Sequence, residues 1–208
     1  FSGRMTVALV AAATAAKKLL PGVLFSTTIT EIGGIQDPAR FDALLTELRT
    51  AGDSAGGVVE VRAQGVAAGT GEPFFASAES LAAHLLFSIP GVKGVEFGAG
   101  FGAARSRGSR NNDPIIDRRG TTATNNDGGL NGGIANGNEI VLRVAFKPAP
   151  SIALPQETFD FERDRPAPLT IAGRHDACIA LRGAVVAEAA LACALADLTL
   201  RAGNAVTG

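Results

Sequence analysis

The chain has 208 residues, 46% of them hydrophobic and 19% charged, with 26 glycines, two histidines, two cysteines and a formal net charge of −1. That is enough chain to bury a core in one large domain or two small ones. The near-neutral balance supplies no general attraction to nucleic acid or an acidic membrane surface, and no uninterrupted apolar run reaches the roughly 18 residues that span a bilayer.

In chain order, residues 5–20 read as an Ala/Val/Leu helix closed by Pro21. Residues 23–32 read as a strand, with Ser26, Thr28 and Thr30 alternating against Phe25, Thr27 and Ile29. Asp37-Pro38 is a helix start, and Phe41, Leu44, Leu45 and Leu48 recur at helical spacing up to Ala51-Gly52. A second strand covers 58–66, with Glu60 and Arg62 on its polar face; 80–87 is helical and 92–97 extended. Between Gly94 and Gly137 the character changes: eleven glycines, two Asn-Asn pairs and, from 105 to 118, arginines at 105, 107, 110 and 118. Such glycine density permits positive φ and close backbone approach, and equally describes a floppy insertion. Order returns with a strand over 139–146, then Lys147-Pro148-Ala149-Pro150-Ser151, a strand over 169–172, and a long apolar helix over 182–200. Cys178 and Cys193 lie in apolar surroundings and read as buried free thiols rather than a disulfide. The chain opens on Phe1, without a signal-peptide pattern, and reads as a piece of something longer. Helices and strands mix without regular βαβ alternation, so the expected class is α+β, with largely antiparallel sheets and helices packed on them.

Four stretches could carry chemistry. Gly173-Arg174-His175-Asp176 sets a guanidinium fork, a titratable ring and a carboxylate side by side at a strand–helix junction; its ordinary alternative is a helix start capped by Asp176. In the Lys147–Ser151 run, a proline-stiffened turn could hold a cation at a phosphate or flavin, or merely end a strand. Paired glycines in 126–133 could bring backbone amides against a planar ligand or phosphate, or form a loop. Phe1-Ser2-Gly3-Arg4 heads the first helix, where amide dipoles favour an anion, or simply caps it. With no metal cage and no nucleophile triad, this set suits a phosphorylated acidic molecule and an anionic cofactor.

The stretches GDSAGGVVEV (52–61), GTGEPFF (69–75), SIPGVKGVEFGAGF (88–101), GSRNND (108–113), NNDGGLNGGIANG (125–137), VAFKPAPSI (144–152) and GRHDACIALR (173–182) occur in that order, and together the sequence resembles the chorismate synthase family from Phe1 to about residue 200. The resemblance implies a β-α-β sandwich built by a single domain over 1–208 that is incomplete at its N-terminus. It also implies a cytoplasmic homotetramer without nucleic-acid or membrane partners, and reduced FMN as cofactor. The reaction it implies is loss of phosphate from 5-enolpyruvylshikimate 3-phosphate by anti-1,4-elimination, giving chorismate without net redox change. By the same resemblance, FMN contacts fall on Phe1, Ser2, Pro90, Gly91, Gly132, Lys147, Pro148, Ala149, Pro150, Ser151 and Arg174. Substrate contacts fall on Arg4 and Arg174, and catalytic roles on Asp176 and Ser2. Departures are Ala177 where the family has proline, and Arg182-Gly183-Ala184-Val185 where it has Arg-Ala-Val-Pro. Two histidine motifs and basic substrate contacts that the family carries ahead of this region match nothing in the 208 residues, so a non-catalytic flavin- or phosphate-binding or assembly core is the alternative.

Overall fold

The computed structural model describes residues 3–173 and 175–205. A 3-10 turn (Gly3–Thr6) leads into α1 (Val7–Lys18), which ends two residues before the apolar pattern does because Leu19 and Leu20 already form the turn ahead of Pro21. Strand β1 (Leu24–Ile32) follows. Asp37 caps a short 3-10 turn, its carboxylate accepting from the Ala39 N–H at 3.1 Å, and α2 (Phe41–Ala51) ends at Gly52 with φ of +72°, a backbone state that favours glycine. Next come β2 (Gly57–Gln64), α3 (Ala78–Phe87) capped by Ser77, β3 (Val92–Phe97) and the single turn α4 (Gly108–Asn111). The short pair β4 (Leu130–Asn131) and β5 (Ile134–Ala135) precedes β6 (Ile140–Phe146). A hairpin of β7 (Gln156–Asp160) and β8 (Arg165–Leu169) leads to the final helix, α5 (Ala180–Ala205).

The expected strand over 169–172 is therefore corrected: its place is taken by β8, which ends at Leu169. Two prolines hid it. Pro166 and Pro168 occupy the same face of the ladder, so β8 can still donate to β7 from Arg165, Ala167 and Leu169.

The main sheet has the order β1-β2-β6-β3, antiparallel throughout, which agrees with the α+β expectation. Helices α1, α5 and α3 lie on one face, with α5 between the other two and across β1 and β2. On β2, Val59, Val61 and Ala63 point to the helices and are fully buried; Glu60 and Arg62 point away. The open face carries a charged row: register places Thr28, Glu60, Arg143 and Glu96 side by side across four strands. Arg143 donates to Glu96 at 2.7 Å and Arg62 to Glu60 at 2.8 Å and Glu139 at 2.7 Å. The carboxylates hold the Arg62 proton, raising its pKa, chiefly through the hydrogen bond to Glu60.

Helix α5 explains how the layers approach. Ala180, Ala187, Ala190, Ala192 and Ala194 are buried to 1% exposure or less, so large side chains of the sheet and neighbouring helices fill the space they leave. By length and composition, Ala180–Gly203 could cross a bilayer, although Arg182, Glu188, Asp197 and Arg201 interrupt the run; 61% of its most apolar 18-residue window is buried inside the protein, as expected of a core helix. Gly183 faces the Phe146 ring, whose Cζ would lie 2.5 Å from an added Cβ. This glycine thus fills its place in the helix entry by leaving room for the ring.

An ion pair ties α1 to α5, and a hydroxyl ties that pair to the sheet. Glu188, in the middle of α5, accepts from Lys17 of α1 and from the Thr27 hydroxyl of β1 at 2.5 Å, while the Lys17 ammonium lies 5.2 Å from the Phe25 ring centre. Burial pushes the Glu188 carboxyl up, but the hydrogen bonds from Lys17 and Thr27 and the lysine charge outweigh it, so its pKa lies below the ordinary value. A depressed folded pKa stabilises above the unfolded value of about 4.3 and loses that contribution as pH falls through the folded value. Glu188→Gln should cost about 1 kcal/mol in thermal or urea unfolding at neutral pH, allowing for solvent screening. It should also flatten the loss of stability below about pH 4.3; an acid limb identical to wild type would remove this role from Glu188.

Candidate functional site

Four segments meet where β6 ends and β2 and β3 begin. The Gly52 carbonyl accepts from the Ala153 N–H at 2.8 Å, the Ala55 N–H donates to the Ala177 carbonyl at 2.8 Å, and the Lys147 N–H donates to the Gly91 carbonyl at 2.9 Å. The Ser54 hydroxyl donates to the Ala149 carbonyl at 2.7 Å. These bonds tie loop 52–56, the Pro90-Gly91 turn, the stretch Lys147, Pro148, Ala149, Pro150, Ser151, and residues 175–179 into one unit. Close backbone approach demands glycine here: a Cβ on Gly56 would lie 2.6 Å from the Phe146 carbonyl oxygen and 3.3 Å from Pro148 Cδ.

Beside this junction opens a cavity of about 530 Å³ lined by Arg49, Asp53, His175, Asp176, Leu181 and Arg182, among others. Its size falls within the usual range for small-molecule sites. The half-buried Asp176 is ion-paired with Arg182 and does not cap α5, which begins at Ala180. His175 Nε2 lies 3.1 Å from the Ile171 carbonyl oxygen. Since a carbonyl only accepts, the ring donates from Nε2 at that contact. Cys178 also lines the cavity and is free, as is Cys193. Burial pushes both thiols up, which leaves them poor nucleophiles at neutral pH.

The glycine-rich stretch is ordered, at the opposite end of the sheet. Asp113 organises it, accepting from the Thr124 hydroxyl at 2.6 Å, the Asn126 N–H at 2.8 Å and the Asp127 N–H at 3.0 Å. Burial lifts the Asp113 carboxyl, but these donors together hold it below its usual range. Gly98 has φ of +52°, and a Cβ there would lie 2.0 Å from the Asn126 carbonyl oxygen. The Gly133 carbonyl accepts from the Ala78 N–H at 2.8 Å, in the first turn of α3. Nearby Glu79 is pushed above its ordinary pKa by burial and by the charge of Asp127. Composition alone left a floppy insertion as an equal reading; this network excludes it.

The expected contacts consequently divide into two groups. Pro90, Gly91, Lys147–Ser151 and Asp176 come together. Gly132, exposed at φ of +58° in the β4–β5 turn, does not join them. The length of β6, roughly 20 Å, or of α3, about 15 Å, stands between. Arg4 is also elsewhere. Because Lys17 meets Glu188 while Leu9, Val10 and Ala13 meet Ala189, Ala192 and Cys193, α1 runs antiparallel to α5. That places the exposed Arg4 towards the C-terminal part of α5, away from Asp176. Phe1, Ser2 and Arg174 lie outside the described residues.

The family model for chorismate synthase matches residues 1–200. The chain belongs to the chorismate synthase family. A chorismate synthase of Chitinophaga pinensis is 50% identical over 201 residues, covering 96% of this chain and 60% of its own length. That of Archaeoglobus fulgidus is 54% identical over 154 residues, covering 73% of this chain and 43% of the relative. A crystal structure of chorismate synthase superposes with a TM-score of 0.79 at 29% identity, covering 97% of this chain and 64% of that one. Relative to the first and the last of these chorismate synthases, the chain spans about 60–64% of their length.

Residue-by-residue reading assigned no role to Asp53, Ser54, Arg49 or Arg182. The signal was there for Gly52-Asp53-Ser54, a run of turn formers between a helix and a strand, but its tie to Ala149 and Ala177 is a tertiary fact. Gly56→Ala should push the Phe146–Pro148 backbone away from loop 52–56 and cost about 2–4 kcal/mol by unfolding, since the clash is with backbone. A cost under 0.5 kcal/mol would show that the approach is loose. Asp113→Ala should leave the main sheet intact yet speed amide exchange over 122–137. In wild type the same loosening should set in as pH falls through the depressed Asp113 value; unchanged exchange in the variant would deny Asp113 its organising role.

Proposed function

We propose that this chain is the larger part of a chorismate synthase, which eliminates phosphate from 5-enolpyruvylshikimate 3-phosphate to yield chorismate, in the cytoplasm and as a homotetramer. The family match over residues 1–200 carries this reading, and the convergence of Pro90-Gly91, Lys147–Ser151 and Asp176 beside one cavity supports it.

The Asp176 end of the sheet suits FMN by the chemistry of its groups. Arg49 and Arg182 line the cavity, and Lys147 stands exposed at the head of the adjoining stretch. These cations match a phosphate-bearing ligand, and glycine-permitted close packing keeps the surrounding backbone fixed. Arg49 and Arg182 would hold FMN or the substrate phosphate within the cavity, with Lys147 supplying a further cation from the adjoining stretch. Reduced FMN, when bound, supplies transient electron density to the reacting ring. The arginines stabilise charge on the departing phosphate, an electrostatic contribution commonly among the largest in catalysis. Asp176, ion-paired with Arg182, is placed to accept or hold a proton, and Leu181 with Cys178 limits water on that side.

A second reading, a non-catalytic anion-binding core, is favoured by one observation: Gly132 and Arg4 stand apart from the Asp176 cavity within a single chain. Titration of oxidised FMN, followed by flavin fluorescence, separates the two. Binding should be at least about fivefold tighter with the phosphorylated substrate present, the usual scale of coupling between ligands. Absence of FMN binding under either condition would sink the enzymatic reading. Assayed alone with reduced FMN under anaerobic conditions, the 208-residue chain should form chorismate only near background. Its histidines are His84, exposed on α3, and His175, engaged by Ile171, and each missing general acid is worth roughly 100- to 10,000-fold. Turnover matching a full-length relative would show that Asp176 and the arginines suffice.

A further inference from the structure

We propose that the outer edge of β1 is a contact between two copies of this chain, paired antiparallel about Thr27. The inference deepens the assembly part of the proposed function and rests on it only for self-association; flavin and substrate binding are independent of it.

The edge is long and unguarded. β1 is the terminal strand of the main sheet, nine residues from Leu24 to Ile32, so one side of its backbone meets no strand among the described residues. Exposed edges are normally blunted by proline, by lysine and other charges, or by bulges. Residues 24–29 contain no proline, glycine or charged side chain, and the register irregularity comes only after Ile29. The other terminal strand, β3, is protected: it carries Lys93 at an irregularity and Gly94 beside it. Outward-pointing Leu24, Ser26 and Thr28 are exposed.

The edge also fits itself. A two-fold axis through Thr27 sets Phe25 opposite Ile29 of the second copy and Ser26 opposite Thr28 of the second copy. Phe25 and Ile29 both face the helices, so an aromatic meets a β-branched side chain on that side and hydroxyls meet on the other, both favourable cross-strand pairs. No like charges face each other. Because helix-facing residues pair with helix-facing residues, the two sheets join into one of eight strands with both helical layers on the same side. A slip of one residue would put Phe25 opposite Thr28 and destroy that match. The contact is isologous and closes on itself.

Charge placement tests the register. In Ser26→Glu/Thr28→Glu, like charges meet twice across the axis, and the dissociation constant should rise on the order of tenfold or more. In Ser26→Glu/Thr28→Lys, the same axis pairs opposite charges, and within the chain they face Arg62 and Glu60; association should equal or exceed wild type. Thr28→Glu alone places the same carboxylate opposite Glu60 but meets only Ser26 across the axis, so it controls for effects on folding and should associate within about threefold of wild type. Sedimentation equilibrium reads the mass, and circular dichroism confirms the fold of each variant. An assembled wild type with an undisturbed Glu/Glu variant would overturn the edge while sparing the assembly reading. A monomeric wild type would overturn both.

Discussion

The seating of an alanine-lined helix across a sheet of large branched side chains is the constraint on which the rest of the molecule depends. Ala187, Ala190 and Ala194 of α5 and Val59, Val61, Leu142 and Val144 of β2 and β6 share one buried cluster, and interior packing to near-crystalline density leaves little freedom in the distance between layers. With that distance set, α1 and α3 can flank α5 rather than cover it, and Glu188 comes within reach of both Lys17 and Thr27. The start of α5 is brought under Gly57, where Ala180 Cβ would lie 3.0 Å from an added Cβ. An exchange of alanine for leucine on this stripe would move every one of these relations at once.

From that seating follows the character of the candidate site. Its parts are held mostly by main-chain hydrogen bonds among short glycine- and proline-containing segments, with few side chains between them. Such a junction is stiff and places groups well, but it tolerates little extra volume. The charged groups then stand on rigid supports: Arg49 on the last turn of α2, Arg182 on the first turn of α5, and Asp176 between. Preorganisation of this kind lowers the reorganisation needed when charge develops on a bound ligand.

Much of this was legible in the residues. The alternation in β1, the Asp37 cap ahead of α2 and the Gly52 end of α2, the β3 and β6 strands and the long apolar final helix are local patterns, and local patterns survive folding. Strand β8 escaped because proline argues against strands in general, whereas here both prolines sit where no donor is needed. The order of the glycine-rich stretch was undecidable from composition, since it rests on one carboxylate, Asp113, meeting donors 11 to 14 positions away. At the site, the resemblance named segments that the structure brings together at the Lys147 end. It carried no distance, so it could not reveal that Gly132 and Arg4 belong to other regions of the same chain, nor that Asp176 binds Arg182 in place of capping the helix.

The prolines of β8 have a consequence for the chain's behaviour in crowded solution. The β7–β8 ribbon projects Phe161, 91% exposed, on a two-stranded support, a shape that would ordinarily recruit further strands and seed fibrous growth. With Pro166 and Pro168 presenting their nitrogens to the outside, that border has no amide hydrogens at those positions to offer a newcomer. The ribbon thus displays an aromatic tip while one of its two borders is poor in donors, so a strand added to it would meet the backbone on the β7 side, and a partner on the β8 side must read side chains.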